Sequence, residues 1–140
     1  MRPFDTLIEL SENQLDEKRK HLAALEDTYA AALARRAAMD AELQQEQAVA
    51  RESGEAGFLY GAYAQHLIQR RDLADAEVRE TEDAVEAQRE VVREAFAELR
   101  RYELAHEARL EEVRRKQEAK DQVELDEIAG NLLRRGDDRL

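Results

Sequence analysis

Residues 4–30 read FDTLIELSENQLDEKRKHLAALEDTYA, and their apolar side chains recur at alternating steps of four and three residues. The rhythm continues to Ala50 without a change of phase, and ten of its 14 positions are apolar. A heptad pattern sustained this long is typical of a coiled coil and predicts one helix over about residues 4–52. The 14 positions, called the first seam, are Phe4, Ile8, Ser11, Leu15, Lys18, Leu22, Leu25, Tyr29, Ala32, Arg36, Met39, Leu43, Glu46 and Ala50.

A second row with the same spacing follows, and eleven of its 16 positions are apolar. Three of the five glycines (Gly54, Gly57 and Gly61) fall just before and at its start, and glycine commonly ends helices and forms turns. We therefore predict a turn at 53–57, a second helix at about 58–129 and a mobile tail at 130–140. The row, called the second seam, comprises Tyr60, Ala64, Leu67, Arg71, Ala74, Val78, Thr81, Val85, Gln88, Val92, Ala95, Leu99, Tyr102, His106, Arg109 and Val113.

A short connection between two long helices makes them antiparallel, so that residue i faces roughly residue 110 − i. Phe4 should then lie near His106. The start of the first helix should therefore lie opposite about residue 107 of the second helix. Beyond that point, more than roughly 20 residues of the second helix, at ~1.5 Å each, have no partner within the chain. The sequence thus predicts an all-α fold: an antiparallel two-helix coiled-coil hairpin with a longer second helix, forming a single module over residues 1–140.

Composition excludes several classes of protein. Ala, Glu, Lys, Leu and Arg supply 85 of the 140 residues, whereas aromatic residues make up only 5%. Few large apolar side chains remain to enclose a pocket, so we expect no enzyme, no catalytic residues, no cofactor and no small-molecule substrate. The chain has no cysteine, and its three histidines lack the spacing of metal ligands, so we expect no metal site.

The net charge of −11 is unevenly distributed along the chain. Residues 72–99 contain ten acidic and three basic residues, whereas residues 100–122 contain six acidic and seven basic residues. A broadly acidic surface repels phosphate groups, so nucleic acid is not an expected partner. No apolar run approaches the length of a membrane span and no secretory signal precedes the first helix, which favours a cytoplasmic location.

Two groups of side chains allow alternative interpretations. The aromatic residues after the turn (Phe58, Tyr60 and Tyr63) either pack the end of the hairpin or present an anchor to a partner protein. The polar seam residues either extend their stems to solvent or loosen the coiled coil, and His106 is expected to tune the register rather than bind metal. These polar seam residues are Lys18, Arg36, Arg71, Thr81 and Gln88.

Near the end of the second helix, residues 121–129 read DQVELDEIA, which is not a heptad pattern. This segment resembles the C-terminal motif of the flagellar export protein family FliJ. The start of the second helix, with Tyr60, Tyr63 and Leu67, resembles an aromatic-rich segment of the same family. Arg70 and Ala74 depart from it, because they stand where the family can have a small residue and a histidine.

The resemblance implies a non-catalytic stalk in the flagellar type III protein export apparatus. FliJ-like proteins enter the central pore of the export ATPase hexamer (FliI), promote its assembly and couple it to the export gate protein FlhA. They also bind and recycle export chaperones, and they work in the cytoplasm, peripherally at the inner membrane.

The resemblance also implies two sets of binding residues. Gate binding would involve Tyr60, Tyr63, Leu67, Arg70 and Ala74. Binding in the ATPase pore would involve Phe4, Leu7, Ile8, Leu110, Val113, Gln122, Leu125, Asp126, Glu127 and Ile128.

Two alternatives remain open from the residues. One is the equivalent stalk of a virulence-type secretion system, which would share this architecture. The other is a structural coiled-coil protein that self-associates through its seams.

Overall fold

The computed structural model describes residues 2–52 and 56–138, which form two helices. Helix α1 spans Arg2–Glu52 (51 residues) and helix α2 spans Ala56–Asp138 (83 residues). No strand occurs in these two ranges. The predicted all-α fold of two packed helices with a longer second helix is confirmed.

The boundaries of the helices differ from the prediction mainly at the end of the chain. Of the predicted turn, residues 53–55 lie outside the described ranges, and residues 56 and 57 already belong to α2. The predicted end at residue 129 is wrong, because α2 continues through Gly130 to Asp138. One glycine inside a helix costs only about 1 kcal/mol relative to alanine, and the leucines and arginines that follow favour the helix.

The heptad pattern of α1 corresponds to the buried side of the helix. All 14 positions of the first seam are buried or half-buried. From residue 4 to residue 52, the other side chains are exposed except those of Asp40 and Glu42. The spacing of four and three residues therefore selects the face of α1 that packs.

On α2 the second seam is buried or half-buried at every position from Ala64 to His106. The side chain of Tyr60 lies outside the described part of the structure, and Arg109 and Val113 are exposed. Among the described residues, Leu67 is the most deeply buried large side chain, with 1% of its surface exposed. Burying a leucine of this kind contributes about 1.5–3 kcal/mol.

Contacts divide the chain into two units, Glu12–Phe96 and Met1–Ser11 with Ala97–Leu140. Within the first unit, Arg36 pairs with Asp75, one residue from its predicted partner, and Gln88 bonds to Lys18. As the residue number on α1 rises from 18 to 36, the number of its partner on α2 falls from 88 to 75, as in an antiparallel pair. That residues 1–140 act as a single module remains a prediction.

Within the second unit, the Phe4 ring lies against the His106 imidazole, with 5.8 Å between ring centroids. This is the contact that antiparallel pairing predicts from the sequence. It occurs at the last half-buried position of the second seam, so the packed part of α2 in this unit ends close to His106.

Candidate partner-binding surfaces

Beyond His106, α2 consists almost entirely of exposed side chains. We define residues 107–138 as the overhang. From residue 107 to residue 137, Glu111 and Gly130 are half-buried and every other residue is exposed. The packed and exposed parts of α2 therefore meet where the sequence predicts that α1 is used up.

Large apolar side chains occur on this exposed helix at positions that share a face. Leu125, Ile128 and Leu132 are spaced by three and four residues, and 58%, 56% and 62% of their surfaces are exposed. Leu110 and Val113 form a second exposed pair one to two turns after His106. We call Leu125, Ile128 and Leu132 the apolar row, because it presents hydrophobic surface without a partner on α1.

Charged side chains of the overhang pair with neighbours on the same helix. Arg114 donates through Nε to Glu111 at 3.1 Å and through Nη1 to Glu118 at 2.9 Å, and Lys116 lies 3.2 Å from Glu112. The hydrogen bond from Arg114 lowers the pKa of Glu111 below its ordinary value. Glu111 is thereby held in the charged form, the opposite of the raised pKa that a catalytic acid requires.

Polar residues of the DQVELDEIA segment also form hydrogen bonds within α2. Gln122 donates through Nε2 to Oδ1 of Asp126 at 3.1 Å, and Gln117 donates in the same way to Asp121 at 3.0 Å. Glu127 is exposed. The segment thus places a short polar network beside Leu125 and Ile128 of the apolar row.

At the start of α1, the predicted pore-binding residues do not all face outward. Leu7 is exposed, whereas Phe4 and Ile8 are half-buried on the first seam. His106 Nε2 lies 3.5 Å from Oδ1 of Asp5, so its imidazole contacts both Asp5 and the ring of Phe4. Phe4 and Ile8 therefore pack in the hairpin, and Leu7 is the member of this group that offers surface to a partner.

The predicted gate-binding residues separate into exposed and buried members. Tyr63 is 40% exposed, and its Oη donates to Oε1 of Glu42 on α1 at 3.2 Å. Arg70 is exposed, with Nη1 4.0 Å from the same carboxylate. Leu67 and Ala74 belong to the core, because they lie one heptad apart on the second seam, whereas Tyr63 lies off that seam.

Burial of the Tyr63 ring, followed by its hydrogen bond to Glu42, raises the pKa of its hydroxyl, so that the group stays protonated and remains a donor. Of the aromatic cluster after the turn, the side chains of Phe58 and Tyr60 lie outside the described residues. Tyr63 combines both interpretations of this cluster: it bonds across to α1 and still exposes part of its ring.

Sequence reasoning missed two apolar residues beside Arg70. Leu73 is 72% exposed and Ile68 is also exposed. Leu73 lines an open groove together with Arg35, Met39, Arg70, Ala74 and Glu77. The heptad pattern could have revealed their exposure, because both residues lie off the second seam and an apolar residue there does not face the core.

No group of three or more His, Asp or Glu residues in the described ranges could hold a metal ion. Over the same ranges, neither helix is long and apolar enough to cross a membrane.

Comparison with known proteins gives one assignment. Neither the curated proteins nor the solved structures gave a match. A family model described as Flagellar FliJ protein matches residues 1–137, a range that includes both seams and nearly all of the overhang. The match thus extends far beyond the two short segments on which the resemblance rested. The chain belongs to the FliJ family of flagellar proteins.

Proposed function

We propose that this flagellar export component is a non-catalytic stalk whose overhang binds in the central pore of the export ATPase hexamer (FliI). The apolar row carries the proposal. Three large apolar side chains lie exposed on one face of α2, where no other residue of the described part of the chain covers them. Removing apolar surface from water is favourable by about 25 cal/mol per Å². A protein partner that covers the row would therefore form a more stable complex.

The charges beside the row support a ring of protein subunits as the partner. Pairs such as Arg114 with Glu111 and Lys116 with Glu112 leave the overhang with alternating rather than uniform charge. A surface of this kind offers both signs to the wall of a pore, and it requires no buried unpaired charge. We propose that binding here promotes assembly and activity of the hexamer, with the chemistry done by the ATPase.

The test removes the apolar row in the full-length chain. L125A/I128A/L132A should raise the concentration of the chain needed for half-maximal stimulation of the ATPase by at least about tenfold. The reason is that truncating apolar side chains buried in a complex costs about 1 kcal/mol or more each. Stimulation is measured by titrating each variant into the purified ATPase, and binding is measured by co-sedimentation with the hexamer.

The matched control is L33A/I68A/L73A, which removes the same three side chains from exposed positions of the unit Glu12–Phe96. It should stimulate like the parent chain. Equal stimulation by both triple variants would contradict pore binding through the apolar row. If light scattering instead showed a dimer that L125A/I128A/L132A dissociates, the row would serve self-association.

We also propose that the surface around Tyr63 and Arg70, extended by Leu73, contacts the export gate protein FlhA. Leu67 and Ala74 support this surface from the core rather than touching the gate, since both are buried. Through these two surfaces the stalk would couple the ATPase to the gate. Recycling of export chaperones and a cytoplasmic location, peripheral at the inner membrane, belong to the same proposal.

The gate surface is tested with its exposed members alone, because truncating Leu67 would also destabilise the hairpin. Y63A/R70A should reduce gate binding several-fold in a pulldown with the cytoplasmic part of the gate protein. F96A/R89A is the matched control, as it removes one exposed aromatic ring and one exposed arginine elsewhere on α2. Undiminished binding by Y63A/R70A would exclude this surface.

A further inference from the structure

Three ion pairs join α1 to α2 within the unit Glu12–Phe96. Arg36 pairs with Asp75, Arg35 pairs with Glu77 and donates to it through Nε at 3.2 Å, and Arg70 lies 4.0 Å from Glu42. We call these three pairs the ladder. The other arginine pairs with described distances on α2, such as Arg89 with Glu86, stay within one helix.

The heptad seam alone does not fix how far one helix is displaced along the other. A displacement by one heptad, seven residues, again places seam against seam, because the apolar pattern repeats with that period. The glycines at positions 54, 57 and 61 allow a turn at more than one point of the sequence. The apolar positions and the turn therefore discriminate weakly between registers, which leaves polar pairs between the helices to favour the observed one.

A displacement in either direction disrupts the ladder. If the residues of α2 that face α1 are numbered seven higher, Glu42 faces Glu77 and Arg35 faces Ala84, although Arg36 gains Glu82. If they are numbered seven lower, Arg35 faces Arg70, and Arg36 faces Ile68. Each displaced register thus brings together two like charges at a site where the observed register pairs opposite charges.

We propose that the ladder is the register determinant of the hairpin, and that it acts by placing like charges together in the displaced registers. Partly exposed ion pairs contribute little to stability by themselves. Their contribution here is to the difference between registers, which the otherwise periodic seam leaves small. The inference is independent of the proposed stalk function, since it concerns only how α1 pairs with α2.

An exchange of charges separates this idea from a simple stabilising effect. In R35E/E77R the observed register keeps an opposite-charge pair, with the two signs exchanged. The like-charge pairs of the two displaced registers become opposite-charge pairs. Glu42 would face an arginine at 77 in one register, and Arg70 would face a glutamate at 35 in the other. The variant should therefore keep its helix content and populate a displaced register beside the observed one.

The register can be read from the distance between two spin labels. The chain has no cysteine, so A23C and Q65C, both at exposed positions, would carry the labels specifically. They lie on different helices, roughly 35 Å apart along the axis, and a heptad displacement changes that by about 10 Å. Pulsed electron paramagnetic resonance on the full-length chain resolves such a change.

The parent chain and the control swap R89E/E86R, which exchanges charges within α2, should each give one distance. R35E/E77R should give an additional population displaced by about 10 Å. A single unchanged distance for R35E/E77R, at helix content equal to the control by circular dichroism, would overturn the proposal. Several distances in the parent chain would overturn it as well.

Discussion

Arg36 shows how a charged residue occupies a seam position. Its guanidinium is half-buried and pairs with Asp75 on α2 and Asp40 one turn further along α1. Donating to these carboxylates raises the pKa of Arg36 above its ordinary value, and Asp40 has the larger effect. In return, the hydrogen bond from Arg36 lowers the pKa of Asp40. Arg36 therefore stays charged, and two carboxylates balance its charge within the hairpin. The alternative interpretation, in which its stem extends to solvent, would need no such partners.

The lowered pKa of Asp40 predicts a dependence of stability on pH. The charged carboxylate favours folding, so its contribution is complete above the unfolded value of 3.8 and is lost as the pH falls through the lower folded value. The difference in melting temperature between the parent chain and D40N should be constant above about pH 5 and shrink toward pH 3. Comparing the two chains removes the general effect of neutralising other carboxylates.

D27N is the control, because it removes one negative charge from an exposed position of α1. Its melting temperature should follow that of the parent chain across the same pH range. A difference between parent and D40N that does not change with pH would show that the Asp40 carboxylate contributes nothing through its charge.

At the level of the elements, the two seams are what the sequence predicts best. Positions such as Leu15 and Leu67 follow from the heptad spacing, and the Phe4–His106 contact follows from antiparallel geometry. Periodicity identifies a face and not a side-chain rotamer. It therefore did not predict that Gln88 donates to the Lys18 carbonyl oxygen at 3.1 Å.

Predictions of the helix end and the gate surface fell short for other physical reasons. A glycine signals a helix end only when the helix gains nothing by continuing, and the residues after Gly130 continue it. A family motif specifies positions along the chain and carries no information on exposure. That is why Leu67 and Ala74 entered the predicted gate surface although they pack in the core.

Gly130 gives a prediction at the same scale. A Cβ at this position would meet nothing nearer than Nη2 of Arg134 at 4.0 Å, so alanine fits without strain. G130A should stabilise the local helix by about 0.5–1 kcal/mol and slow amide hydrogen exchange over residues 125–138. A129G, which exchanges the same two residue types at the neighbouring position, should accelerate it. Equal exchange in both variants would mean that glycine does not limit the helix here.

Across the whole molecule, the distribution of charge along α2 follows the change from packed to exposed side chains. The acidic excess of residues 72–99 coincides with the part of α2 whose seam is buried, whereas the nearly balanced residues 100–122 contain the transition to exposed side chains. Acidic residues on the outside of a packed hairpin oppose non-specific association. The balanced segment lacks that protection, and it precedes the apolar row through which we propose that a specific partner binds.

The exposure of α2 after His106 has a consequence for how its helix forms. Helix formation requires a costly nucleus, whereas each further residue adds at a free energy close to zero. The packed part of α2 supplies the nucleus for the residues that follow it along the same helix. The length of ordered helix beyond His106 is then a quantity that can change residue by residue at little cost, and a partner that binds Leu132 would determine how far the helix extends.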